Sequence, residues 1–119
     1  MDKQRRKELQ QQYKEMKTYM GVFKIENTQN GKVVLGTSPN LKNQWLTLRM
    51  QLDGGRYSNK EIQQYWKTLG EAAFAFEVVE QQEVKEETDV PWELKMLLKK
   101  WMQELQPYEP KGYHKKPQQ

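Results

Sequence analysis

A chain of 119 residues, 35% hydrophobic and 30% charged, has room for one modest core and little more. It contains no cysteine, which excludes disulfides and thiolate metal sites and fits a cytoplasmic, reducing setting; no apolar stretch approaches the length of a membrane span. The net charge of +4 is uneven, with seven basic and three acidic groups over residues 20–70 against one and seven over residues 71–90, a pattern that suits a polyanion partner and equally an ordinary solvated surface with an acidic loop.

Residues 2–17 read as a polar helix with a thin stripe at Leu9, Tyr13 and Met16. Tyr19 to Glu26 alternates as a strand, Asn30-Gly31 favours a tight turn with positive φ at both positions, and Lys32 to Gly36 returns as a second strand. Ser38-Pro39-Asn40 supplies cap residues for a helix from Asn40, with Leu41, Trp45, Leu48 and Leu52 on one face and Gly54-Gly55 as its stop. Ser58 and Glu61 have capping-box spacing, opening a helix that buries Ile62, Tyr65, Trp66 and Leu69 and closes at Gly70. Phe74 to Val79 reads as a third strand and residues 81–89 as an acidic loop. Asp89 and Pro91 start a last helix lined by Leu94, Leu98, Trp101 and Leu105, and Pro107 stops it. The sum is an α+β domain, a small three-stranded antiparallel sheet flanked by helices over residues 19–113, with an N-terminal helix over residues 1–18 and a tail over residues 114–119.

Few side chains advertise chemistry. His114 is the only histidine and sits in a lysine-rich tail, so it reads as a solvated residue rather than a general base. Trp45, Trp66 and Trp101 share helix faces with leucines and read as core; Trp92 stays open between core and a stacking platform for bases. Lys42, Arg49, Arg56, Lys60 and Lys67 lie on or between the two middle helices, where they suit contacts to nucleic-acid phosphates or a plain charged surface. Lys3 to Lys7 suits a polyanion-binding arm or a solvated helix end. No Gly-rich phosphate loop, zinc spacing or Ser/His/Asp set occurs.

One ordered series of motifs goes further. Gly21-Val22-Phe23, the Asn30-Gly31-Lys32 turn, Val34-Leu35-Gly36 and the segment from Asn40 to Trp45 follow in sequence. After them come Leu52-x-x-Gly55-x-x-Ser58-Asn59-x-x-Ile62-Gln63, Trp66 to Gly70, Phe74 to Val78, Trp101 to Pro107, and Gly112-Tyr113. In order and spacing this series resembles the GIY-YIG nuclease domain, in its homing-endonuclease branch, over residues 19–113. The resemblance implies a pocket flanked by two tyrosines, a helical arginine that clamps phosphate, and a glutamate on the last helix that holds one divalent metal ion. The matching positions here are Phe23 and Val34 for the tyrosines, Gln44 for the arginine, Leu48 and Tyr57 for two histidines, and Leu98 for the glutamate.

The resemblance therefore implies a nuclease scaffold with no intact catalytic residue. Leucine offers no oxygen to a hard cation, and glutamine brings neither charge nor a bidentate fork. Loss of the arginine clamp alone removes about 3 kcal/mol of transition-state stabilisation. Glu93, Glu104 and Arg49 are not one helical turn from the positions they would have to replace. The expected function is a nuclease-like domain without cleavage that binds DNA or another polyanion, with no cofactor and no membrane partner. The alternatives are a protein-interaction module and a divergent endonuclease that uses Mg²⁺ or Mn²⁺.

Overall fold

The computed structural model describes residues 17–115, and the helix expected over residues 2–17 falls, but for Lys17, outside them. Strands β1 (Tyr19–Asn27) and β2 (Val33–Ser38) form the hairpin. Helices α1 (Gln44–Asp53) and α2 (Lys60–Leu69) follow, then a 3-10 turn at Glu71–Ala73, strand β3 (Phe74–Glu83) and helix α3 (Val90–Leu105). The sheet order is β2-β1-β3, antiparallel throughout. The α+β architecture is as the hydrophobic periods predict.

The central strand explains its own composition. Phe23 and Ile25 point to one face of the sheet and join Leu48, Leu52, Ile62, Trp66, Phe74 and Tyr113. Val22 points to the other face and joins Leu35 and Leu97, with Leu98, Trp101 and Met102 packed around them. A strand covered on both faces is apolar on both, each fully buried side chain contributing about 1.5–3 kcal/mol. Helices α1 and α2 thus cover one face and α3 the other.

Several local expectations change, each for a tertiary reason. Asn30 does not take a positive φ; only Gly31 does (74°), because the hairpin is a longer loop whose Asn30 and Gly31 N–H groups both donate to the Asn27 carbonyl. Helix α1 starts at Gln44, not Asn40. The Ser38 hydroxyl donates to the Asn40 carbonyl (2.7 Å), and the Leu41 N–H donates to the Tyr19 carbonyl (2.8 Å), which ties this segment to the sheet. The cap of α2 is Asn59, whose side chain accepts from the Ile62 N–H (3.1 Å); the Glu61 carboxylate turns instead to Lys32 Nζ (2.9 Å).

Strand β3 runs four residues beyond Val79, into the segment expected as an acidic loop, because β1 starts at Tyr19 and pairs with Glu83, Gln82 and Gln81. A bulge opposite Val22 and Phe23 absorbs one extra residue, and a polar strand is tolerated at a sheet edge. On α3 the most buried side chain is Leu97, while Leu105 is exposed; on α2, Leu69 is exposed.

Candidate functional site

Five of the six positions matched to nuclease chemistry lie on the side of the sheet covered by α1 and α2. Phe23 is buried with its ring 5.4 Å from that of Phe76. Val34 pairs with Ile25 and packs into the same cluster, as do Leu48 and Tyr57. Burial pushes the Tyr57 phenol above its ordinary pKa, and its backbone N–H donates to Gln63 Oε1 (3.0 Å). Gln44 opens α1, half-buried. Leu98 packs into the opposite cluster with Val22, Leu35 and Leu97.

A divalent cation does not fit the donors around Leu98. Glu80, the carboxylate bonded into that side, accepts from Lys100 Nζ (2.9 Å) and Trp101 Nε1 (2.7 Å). These two bonds, Lys100 first, hold its carboxyl below the usual range. Among the described residues no three His, Cys, Asp or Glu side chains are grouped to hold a metal ion.

The five candidate phosphate contacts divide. Lys60 and Lys67, two turns apart on one side of α2, line a groove of about 880 Å³ together with Asp53, Tyr57, Gln63 and Trp66. Asp53, the one acid there, accepts from the Trp66 indole N–H (2.9 Å). Arg56 lines an adjoining cavity that shares Ser58 with this groove. Arg49 is engaged elsewhere, its Nη1 2.9 Å from Glu71 and its guanidinium 5.7 Å from the Trp45 ring centroid. Lys42 lies apart, beside Lys17, Tyr19 and Val78.

The histidine is a correction. His114 is half-buried, and its Nε2 accepts from the Leu35 N–H (2.9 Å) at the edge of β2 that β1 does not use. The Tyr113 N–H adds a bond to the Val33 carbonyl (3.0 Å), so the chain's contacts with the sheet run through His114. Burial lowers the imidazole pKa below 6.5. A base with a depressed folded pKa leaves the unfolded chain binding more protons in the window just below 6.5, so stability is full above that value and falls as pH drops through it. The melting temperature is expected to decline between pH 7.5 and 5.5, and to decline less in His114→Gln (thermal melts at about 0.5-unit intervals).

Three antiparallel strands with three helices around them make this the GIY-YIG catalytic-domain fold. Among solved structures, the chain is similar to the catalytic domain of the intron endonuclease I-TevI, in a point-mutant form. That match has 22% identity, covers 83% of this chain and 93% of that one, and has a TM-score of 0.61. It is also similar to the catalytic domain of the homing endonuclease I-TevI, at 22% identity over 79% of this chain and 95% of that one, with a TM-score of 0.59. At this identity the likeness is one of fold. No protein-family profile matches the chain, and no curated protein does. Among the described residues no helix is long and apolar enough to cross a membrane.

Proposed function

We propose that the protein is a GIY-YIG-like domain that has lost cleavage and binds duplex nucleic acid along the groove beside α2. The observation that carries this reading is the exchange of chemistry for packing: Phe23, Val34, Leu48 and Leu98 all belong to apolar clusters. The groove supports the binding half, since Lys60 and Lys67 face solvent there without an ion-pair partner among the described residues, with Arg56 next to them.

Three phosphate contacts on a duplex give a log–log salt slope of about −2.7. Filter binding of a short duplex across ionic strength is expected to show that slope, and the triple replacement Arg56→Gln, Lys60→Gln, Lys67→Gln to remove most of it. Affinity indifferent to salt would overturn the proposal. In a plasmid-nicking assay with Mg²⁺ or Mn²⁺ the wild type is expected to leave supercoiled DNA intact. Nicking that disappears in Glu93→Ala or Glu104→Ala would instead restore an active, relocated nuclease.

A protein-interaction role is the second reading. Leu46 and Met50, one turn apart on α1, are 48% and 60% exposed, and such an apolar pair suits a partner surface. A stable protein partner recovered together with an absence of duplex binding selects it.

A further inference from the structure

Helix α3 carries a second surface on the opposite side of the sheet from the groove. Its inner face, Leu97, Leu98 and Trp101, packs into the core, and Leu94 is half-buried. Its outer face presents Trp92, 55% exposed, then Lys95, Met96, Lys99 and Gln103, all exposed. Trp92, Met96, Lys99 and Gln103 follow at helical spacing, so they form one stripe with Lys95 beside it. Neither Lys95 nor Lys99 has an ion-pair partner among the described residues, in contrast to Lys100, which is held by Glu80.

An indole left in solvent beside two free ammonium groups is poor material for a protein interface core, because the only apolar side chains on it are Trp92 and Met96 and a stable interface needs about 800 Å² on each partner. It is good material for a base and its phosphates. An aromatic face stacks any base, and positive charge beside it tracks the strand's backbone. Lys95 and Lys99 are one turn apart, about 6 Å along the axis, and their flexible stems adjust to successive phosphates. Charge fixes the direction. Glu83, Glu87, Asp89 and Glu93, against the single base Lys85, give the cavity at the start of α3 a net negative charge, so a polyanion seated on Trp92 is repelled from that end and drawn toward Lys99.

We propose that the outer face of α3 binds an unpaired nucleic-acid strand, with a base stacked on Trp92 and phosphates on Lys95 and Lys99. This rests on the reading that the domain meets nucleic acid, and assigns that contact a single-stranded component away from the duplex groove.

The test is fluorescence anisotropy with a labelled oligothymidylate and, separately, a labelled duplex. For the oligothymidylate, Trp92→Ala is expected to weaken binding about tenfold and Trp92→Phe to retain most of it. Lys95→Gln with Lys99→Gln is expected to reduce the salt slope by about 1.4. Duplex affinity is expected to be unchanged in all of these, and circular dichroism melts to match the wild type, since the residues are exposed. Oligothymidylate affinity equal in wild type and Trp92→Ala overturns the inference, and so does a wild type that binds the duplex alone. Loss of self-association or of a protein partner in Trp92→Ala, with oligothymidylate binding intact, overturns it in favour of a protein contact. Oligothymidylate binding that depends on Trp92 while the Arg56, Lys60 and Lys67 replacements leave the duplex unaffected sustains this inference and refutes the duplex groove.

Discussion

Trp66→Ala is expected to remove about 3–5 kcal/mol of folding stability, the range for emptying a buried tryptophan site. Trp66 joins three elements. Its ring meets the edge of Trp45 at 6.0 Å and tilts against Phe74 at 5.5 Å. Trp45 in turn stacks on Phe76 at 5.3 Å, and Phe76 touches Phe23 at 5.4 Å. A chain of aromatic rings therefore runs from Phe74 through Trp66, Trp45 and Phe76 to Phe23, and Trp66 is the buried ring that ties α2 into it. Removing the indole leaves a cavity where the helices meet the sheet, and close-packed neighbours fill it only in part. Trp66→Phe keeps most of the volume and loses the hydrogen bond to Asp53, at a cost of about 1 kcal/mol from that bond because the carboxylate can turn to water. Urea titrations read both. The alanine midpoint should fall far below the phenylalanine one with a similar m-value. A loss under about 1 kcal/mol for the alanine variant would show that this aromatic chain is not the joint between helices and sheet. A domain of this size holds about 5–15 kcal/mol in all, so the change consumes a large part of it.

The elements themselves were legible because their signals are local. Trp45, Leu48 and Leu52 define one helical face, and the structure turns that face inward, while Leu41 packs against the same cluster from the segment before the helix. The expectations that changed depend on partners distant in the chain. Nothing near Asn40 announces that the Leu41 N–H will bond to Tyr19, more than twenty residues earlier. Nothing in a glutamate- and glutamine-rich segment announces four more rungs of β-ladder; the length of β1 decides that. His114 is the clearest case. Its ring serves as an acceptor for a β2 edge that the hairpin leaves unpaired, and only the assembled sheet shows that the edge needs one. Among the candidate cations, the two-turn spacing of Lys60 and Lys67 was visible in the sequence. The capture of Arg49 by Glu71 was not, because it joins α1 to the turn that precedes β3.

Gly21→Ala is expected to destabilise the fold by about 3 kcal/mol, at the upper end for overpacking, and Gly36→Ala by less. A Cβ on Gly21 would lie 2.0 Å from the Glu80 carbonyl oxygen and 2.9 Å from the Gln81 Cα, both main-chain atoms of β3. They sit beside the bulge, where the strand cannot retreat without breaking its ladder to β1. A Cβ on Gly36 would meet the far end of the Phe23 ring at 2.4 Å. A ring can shift where a backbone cannot, but this one is buried against Phe76, so the shift passes into the aromatic chain. Neither glycine has a positive φ, so close approach rather than backbone conformation excludes the side chain. These are the glycines of two of the motifs that carry the resemblance to a nuclease. Their presence has a packing cause that operates whether or not the domain cuts, so it argues for the scaffold and says nothing for the reaction. Chemical denaturation of the two variants tests the ordering. Equal losses would place the constraint in the sheet as a whole, and a larger loss at Gly36 would place it in the Phe23 ring rather than in the β3 backbone.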